Sequence, residues 1–179
     1  MDIYFDFVAI VNMEITKAAN CHRDMFRRYV EICCHDNLAL YQAAIDDPDA
    51  YLEKRIAYSF GQLLPAGWPP IMTYFCILSG EIVGSIRVRC GDNDKIENIV
   101  GHIGYETLPK VRGKGVATTM LKWVKSNMIT GAMIITCQSK NIASKKVIEK
   151  CGGEYLNTFY DVEEGLDILR YRLMKKENK

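Results

Sequence analysis

The sequence lacks the features that mark several specialised classes of protein. No apolar run approaches the roughly 20 residues that a helix needs to cross a bilayer, and the start, Met1–Asp6, has no basic segment followed by an apolar one. Charge of one sign is also missing, since 23 Lys and Arg against 22 Asp and Glu leave a formal net charge of +1. We therefore expect no membrane association, no signal peptide and no general nucleic-acid binding.

Paired cysteine motifs are missing too, although seven cysteines are present. None of them forms a Cys-x-x-Cys pair, and most lie in apolar or periodic segments, where a free thiol packs like a small hydrophobe. Cys33 and Cys34, beside His35, lack the spacing of a tetrahedral metal site. We expect reduced, packed cysteines, no metal and a cytoplasmic location.

What is present is an ordinary globular composition, with 49% hydrophobic and 25% charged residues in 179. That length is typical of one domain. Hydrophobic periodicity predicts a strand at 2–11 and helices at 16–34, 38–45 and 47–60. Further strands are predicted at 71–78, 81–89, 98–107, 132–137, 154–160 and 166–173, with helices beginning near 116 and 141. This order predicts a single α/β domain over residues 1–179.

A glycine-rich loop, residues 111–118, lies between a predicted strand and a predicted helix. Glycine lets backbone N–H groups turn toward a ligand, and a helix N-terminus carries partial positive charge. Together with Arg112 and Lys114 these features predict a site for a pyrophosphate. The loop is not a dinucleotide fingerprint, because G-x-G-x-x-G is incomplete, nor a P-loop, because Gly113-Lys114 is followed by Gly115.

Two blocks carry a resemblance to a known family. The first, residues 101–117, contains R-x-x-G-x-A from Arg112 to Ala117, and the second begins N-x-x-S at Asn141 and ends at Gly152-Gly153. In this order they resemble the acyl-CoA-binding core of the GNAT acetyltransferase superfamily. The resemblance implies a mixed, mostly antiparallel sheet with helices on both faces. Residues 71–174 would form the acetyl-CoA-binding core, and residues 1–70 the variable, acceptor-side part.

The resemblance also implies acetyl-CoA as cofactor and residues that bind it. The pyrophosphate would meet the N–H groups of the glycine loop, and the pantetheine arm would pair with the strand edge at Thr107-Leu108. Asn141 would contact the pantetheine arm, with Ser144 and Lys146, or its neighbour Lys145, near the nucleotide. The predicted contacts are Thr107, Leu108, Arg112, Gly113, Lys114, Gly115, Val116, Ala117, Thr118, Asn141, Ser144 and Lys146.

Acetyl transfer to an amine requires a base for the amine and a proton donor for the thiolate. Relatives often use a carboxylate or histidine on the strand before the glycine loop, which makes Glu97 and His102 the candidates here. A structural, hydrogen-bonded His102 is an equal alternative. In many relatives the donor is a tyrosine seven residues after the motif asparagine, but that position is Ile148. The remaining donors are solvent or one of three tyrosines, Tyr105, Tyr155 and Tyr160.

The predicted function is transfer of an acetyl group from acetyl-CoA to a primary amine of a small molecule, by direct attack in a ternary complex. Two alternatives are a non-catalytic acyl-CoA-binding module and an acyltransferase that modifies a protein N-terminus or lysine. The sequence leaves open the acceptor, the acyl chain length and the choice between monomer and homodimer. Four acidic residues could attract a cationic amine: Asp46, Asp47, Asp49 and Glu53.

Overall fold

The computed structural model describes residues 13–36 and 38–175 as seven strands, four α-helices and four shorter helical segments. The strands are β1 (Glu14–Lys17), β2 (Ile71–Leu78), β3 (Glu81–Arg89), β4 (Ile103–Thr107), β5 (Ala132–Gln138), β6 (Glu154–Asp161) and β7 (Leu166–Met174). The helices are α1 (Arg23–His35), α2 (Pro48–Tyr58), α3 (Val116–Asn127) and α4 (Ile142–Lys150). Segments Asn20–His22, Ala39–Ala44 and Pro109–Val111 are 3-10 helices, and Ile96–Val100 is a π-helix.

All seven strands form one sheet in the order β1-β2-β3-β4-β5-β7-β6. Neighbouring strands are antiparallel except β4 and β5, which run parallel. The glycine loop and α3 provide the crossover between those two strands, as a parallel pair requires. The predicted mixed, mostly antiparallel sheet is confirmed.

Helices cover both faces of this sheet. On one face, the ring of Phe26 in α1 lies 5.5 Å from that of Phe75 in β2. Phe75 is paired with Ser85 of β3, so both residues face α1. The preceding residue, Gly84, therefore faces the other side of the sheet. There α3 packs so closely that a methyl group on Gly84 would lie 2.9 Å from the Cε atom of Met120. None of the helices in the described ranges is both long and apolar enough to cross a membrane.

The first predicted helix is wrong at its start. The predicted strand 2–11 lies outside the described residues, and the helix predicted for 16–34 begins only at Arg23. Thr16 instead belongs to β1, where it pairs with Phe75. β-Branched Ile15 and Thr16 favour extended backbone, and pairing with β2 outweighs the helical spacing. The next predicted start is confirmed: the Asp47 carboxylate caps α2 by accepting from the amide of Ala50, at 2.9 Å.

The strand predicted for 98–107 is also shorter in the structure, because the π-helix Ile96–Val100 replaces its first part. Gly101 closes this helix with φ +68° and lies against β5. A methyl group there would come within 3.0 Å of the backbone nitrogen of Thr136. Both the positive φ and the close approach therefore require glycine.

The cysteines are free thiols. Cys33, Cys76, Cys137 and Cys151 are buried, which confirms the packing interpretation for these four, whereas two others, Cys21 and Cys90, are exposed. Burial raises the pKa of Cys33 to about 12 and that of Cys76 to about 11. Both thiols are therefore protonated, unreactive parts of the core at neutral pH.

Candidate active site

The central feature of the candidate site is an opening between β4 and β5. Their parallel register contains the single pair Ile103 and Ile135, although both strands continue beyond it. We call the space between the two diverging strands the β4–β5 opening. The carboxyl ends of the strands lie there, which is the edge where α/β folds bind ligands.

His102 joins the two strands at the closed end of this opening. Its backbone amide donates to the carbonyl of Ile134 at 2.7 Å, and the amide of Ile134 donates to the ring atom Nδ1 at 3.0 Å. The other ring nitrogen, Nε2, lies 2.6 Å from Oδ1 of Asp92. An Nδ1 that accepts requires the proton on Nε2, which then donates to Asp92. Both ring nitrogens are thus engaged, which favours a positioning role for His102.

On the side of β4 that faces the opening, main-chain groups extend beyond the last residue pair with β5. The amide of Leu108 donates to Val83 of β3 at 2.9 Å, so the even-numbered residues of β4 bond to β3. Main-chain N–H and C=O groups of successive residues point to alternate sides of a strand, so those of Tyr105 and Thr107 point toward β5. Both residues lie beyond Ile103, the last residue of β4 that pairs with β5. Thr107 therefore suits the predicted contact with an amide chain. Leu108 has both main-chain groups engaged, since its carbonyl accepts from Val111.

The glycine loop has the backbone conformation of an anion site. Gly113 and Gly115 have φ of +78° and +82°, and a methyl group on either would meet no atom within 4 Å. Five amides of this segment donate to no acceptor in residues 13–36 and 38–175: Gly113, Gly115, Val116, Ala117 and Thr118. The last three form the first turn of α3, where the helix dipole adds positive charge. Amides without an acceptor at a helix N-terminus are suited to hold phosphate oxygens.

The two basic side chains of the loop have different surroundings. Arg112 pairs with Asp36, at the end of α1, with Nη2 and Oδ2 2.5 Å apart. This ion pair fixes the start of the loop to the N-terminal helices. Lys114 is exposed and forms no ion pair with the residues that the structure describes, although its amide donates to Val111 at 3.2 Å. Lys114 is the cation of the loop whose side chain remains free for a phosphate.

The second predicted block lies across the opening from β4. Asn141 caps α4, its Oδ1 accepting from the amide of Ser144 at 3.0 Å. The hydroxyl oxygens of Ser144 and Tyr105 lie 2.8 Å apart, so β4 and α4 are connected over the opening. Lys146 is exposed and Lys145 lies 4.0 Å from Glu149 in the same helix. The structure thus brings Asn141 and Ser144 to the opening, with both lysines on the same helix.

The tyrosines that could replace the absent family donor differ in position. Ile148 is fully buried at 0% exposure. Tyr155 and Tyr160 are on β6, 55% and 57% exposed. Tyr105 is partly buried at the opening, and burial raises the pKa of its hydroxyl to about 12, partly opposed by the bond with Ser144. Tyr105 is the candidate that reaches the helix face on which relatives carry their donor.

Glu97, which precedes the strand predicted for 98–107, is not part of a strand in the structure. It belongs to the π-helix before β4, and its carboxylate is exposed, without a partner among the described residues. The hydroxyl of Thr136 in β5 donates to the carbonyl of Ile99 in this π-helix at 2.8 Å. Because side chains alternate along a strand, Thr136 points to the face opposite that of Ile135, and the π-helix lies on that face. Glu97 is therefore on the face of the sheet that carries α1 and α2.

A buried ion pair on that same face was missed in the sequence. Arg87 Nη2 donates to Glu106 Oε2 at 2.6 Å, and the hydroxyl of Tyr41 donates to Oε1 at 2.6 Å. Burial and the charge of Glu106 raise the pKa of Tyr41. The sequence did contain an indication of this pair, because Ser85 and Arg87 alternate with apolar residues in β3. A charged residue at a strand position that faces the core needs a buried partner of opposite charge.

A separate groove of about 810 Å³ lies at the other end of α3. Its lining includes Lys122, Lys125 and Lys150. Lys125 is engaged, since its ammonium donates to the carbonyl of Cys151 at 2.8 Å. None of the predicted cofactor residues lines this groove, so it is distinct from the β4–β5 opening.

The seven-stranded mixed sheet opens between two central parallel strands, and a glycine loop leads from the first of these strands into the helix that connects them. The family model described as "Acetyltransferase (GNAT) domain" matches residues 21–154. The chain therefore belongs to the GNAT acetyltransferase family and is an acetyl-CoA-dependent acetyltransferase. No curated protein sequence shows a significant match.

Solved structures agree with this fold. RimL, a ribosomal L7/L12 α-N-protein acetyltransferase in complex with coenzyme A, is 14% identical, with a TM-score of 0.68 over 92% of this chain and 96% of that one. The microcin C7 self-immunity acetyltransferase MccE, with acetyl-CoA and AMP, is 16% identical, with a TM-score of 0.66 over 89% and 91%. A ribosomal-protein-S5-alanine acetyltransferase from Vibrio fischeri is 12% identical, with a TM-score of 0.65 over 93% and 95%.

The glycine loop generates a prediction for cofactor binding. Gly115→Asp adds a carboxylate among amides that would bind phosphate, so we expect CoA binding to be lost in isothermal titration calorimetry. Gly80→Asp is the matched control, because Gly80 also combines a positive φ, +76°, with open space but lies in the turn between β2 and β3. Its CoA affinity should equal that of the unmodified protein. Unchanged CoA binding by the folded Gly115→Asp variant would exclude the loop as the pyrophosphate site.

Proposed function

We propose that this acetyltransferase acetylates the primary amine of a small molecule, by direct attack in a ternary complex. The observation that carries the proposal is the β4–β5 opening, which has the glycine loop at the α3 side and the polar group of Arg87, Glu106 and Tyr41 at the α1 side. The amine enters from the face of the sheet that carries α1 and α2. There it meets the thioester of acetyl-CoA, which is bound on the face that carries α3. The amine nitrogen forms a bond with the carbonyl carbon, the C–S bond breaks, and CoA leaves as a thiolate.

For the base that takes the proton of the amine we propose Glu97 in preference to His102. Glu97 has a free, exposed carboxylate on the acceptor face, whereas both ring nitrogens of His102 are engaged. We propose that Glu97 acts through water. His102 then contributes by holding the closed end of the opening.

For the acid that protonates the departing thiolate we propose Tyr105. The side chain extends from β4 to Ser144 of α4, which is one helical turn before Ile148. A hydroxyl with a pKa of about 12 keeps its proton throughout the neutral range, so Tyr105 is in its acid form while charge develops on the sulfur.

A second candidate acceptor is a protein N-terminus. Support comes from two of the similar structures, a ribosomal L7/L12 α-N-protein acetyltransferase and a ribosomal-protein-S5-alanine acetyltransferase. A reducing, cytoplasmic setting is also proposed, in keeping with seven free cysteines.

The proposed function is tested by turnover of acetyl-CoA. Purified protein is incubated with acetyl-CoA and a panel of small primary amines, and free CoA thiol and acetylated product are both quantified. We expect product with at least one small amine, in amounts equal to the thiol released. A peptide panel with free N-termini is the parallel arm. If only the peptides are acetylated, the acceptor is a protein N-terminus and not a small molecule. If the protein binds CoA but forms no product with either panel, the proposal of a catalytic acetyltransferase site is wrong.

The proton-donor role of Tyr105 is tested with Tyr105→Phe. Loss of a positioned acid lowers kcat by about two orders of magnitude or more, while acetyl-CoA affinity, measured by calorimetry, should stay within severalfold. The pKa of Tyr105 is about 12, so its hydroxyl stays protonated at lower pH. Deprotonation of Tyr105 should therefore cause no fall in kcat between roughly pH 7 and 10. Tyr160→Phe is the control, with an exposed hydroxyl. Equal kcat values for the two variants would refute the assignment.

The role of Glu97 is tested with Glu97→Gln, which removes the basic oxygen and keeps the size. We expect kcat/KM for the amine to fall by about two orders of magnitude without a change in the unfolding midpoint, because the side chain is exposed. Glu31→Gln, an exposed glutamate on α1, is the control. If both variants turn over at the unmodified rate, another group or the solvent removes the proton.

A further inference from the structure

We propose that the acceptor carries a carboxylate or phosphate, which binds at a subsite formed by Arg89, Arg55 and Trp68 on the α1 and α2 face of the sheet. This inference rests on the proposed function, since it specifies the substrate class of the same site. The Arg89 guanidinium is its centre. Below, this group of three residues is called the arginine subsite.

Arg89 is a half-buried cation with spare hydrogen-bonding capacity. Its Nη1 donates to the carbonyl of Gly101 at 2.9 Å, while Nε is buried and has no hydrogen-bond partner within residues 13–36 and 38–175. The guanidinium carbon lies 5.7 Å from the centroid of the Trp68 ring. A flat aromatic wall beside a guanidinium with unused N–H groups is suited to a planar or tetrahedral anion.

The local charge is unbalanced in favour of an anion. Arg87 has its counter-ion in Glu106, whereas neither Arg89 nor Arg55 forms a salt bridge with any described residue. Arg55 stacks on Tyr51, 4.7 Å from the ring centroid, and donates to the hydroxyl of that ring. Burial, together with the positive charges of Arg87 and Arg55, lowers the pKa of Arg89 to about 10, so the group stays charged at neutral pH.

The nearby acidic residues do not supply the missing charge. Asp49 accepts from Arg27 at 2.9 Å and Glu53 pairs with Arg23, so both are used between α1 and α2. Asp47 caps α2. The expectation that these acids attract a cationic amine therefore loses three of its four candidates, and the charge of Arg89 and Arg55 favours an anionic group.

The arginine subsite is adjacent to the β4–β5 opening. A methyl group on Gly104 of β4 would lie 3.8 Å from Arg89 Nη1 and 3.6 Å from Arg87 Nη2. Gly104 follows directly after Ile103, the last residue of β4 that pairs with β5. An acceptor whose anionic group contacts Arg89 can therefore direct an amine, a few bonds away, into the opening. Amino acids and aminoalkyl phosphates have this arrangement.

The test compares matched acceptors. For the unmodified protein, kcat/KM is measured with amino acids and their carboxamides, and with O-phosphoethanolamine and ethanolamine. We expect at least one anionic acceptor to exceed its neutral partner by tenfold or more. In Arg89→Gln and Arg55→Gln that ratio should fall toward one, by about 10- to 100-fold for Arg89, as expected for a lost charge-assisted hydrogen bond. Arg172→Gln, which alters an ion pair on the β6–β7 hairpin, should keep the ratio.

A binding measurement covers the case in which no acceptor turns over. In saturating CoA, which fills the glycine loop, inorganic phosphate should raise the melting temperature of the unmodified protein and have less effect on Arg89→Gln. Neutral acceptors used as well as anionic ones, or an equal phosphate effect in both proteins, would overturn the arginine subsite while acetyl transfer stands. No product with any amine, together with the predicted phosphate difference, would instead refute the proposed function and retain the subsite.

Discussion

The site depends on one constraint: β4 and β5 are held together at a single point and diverge beyond it. The ring and backbone of His102 form the hydrogen bonds that join the strands, and Gly101 lets the backbone approach β5 closely enough for these bonds to form. If the strands were paired along their whole length, the main-chain groups of Tyr105 and Thr107 would be consumed within the sheet. The opening supplies them to a ligand, and it gives access to both faces at the same place.

The rest of the molecule is arranged around the two sides of this opening. On the α3 side, backbone amides provide the positive potential, and the Arg112–Asp36 pair fixes their loop to α1. On the α1 side, the potential comes from side chains, because the carboxylate of Glu106 neutralises Arg87, whereas Arg89 has no carboxylate partner within residues 13–36 and 38–175. In the proposed arrangement the cofactor and the acceptor can both be anionic and still meet, because separate groups on opposite faces would hold them.

Local features of the site were predictable, whereas contacts between distant segments were not. The glycine loop, the Asn141 cap and the β2–β3 hairpin are encoded by a few adjacent residues, and each is found where it was expected. The break of the strand at Gly101 depends on contact with β5, more than 30 residues later in the sequence. The Tyr41–Glu106 hydrogen bond likewise joins residues 65 positions apart. Periodicity and spacing do not encode such pairings, so the acceptor side of the site was the part that sequence alone left open.

The most direct test of this account is a crystal structure of the protein with CoA. We expect the pyrophosphate to accept hydrogen bonds from the amides between Gly113 and Thr118. The pantetheine arm should run between β4 and β5 along Tyr105 and Thr107, with the thiol at the opening and near the hydroxyl of Tyr105. CoA bound elsewhere, for instance in the lysine-lined groove at the far end of α3, or strands β4 and β5 paired along their length in the complex, would contradict the account.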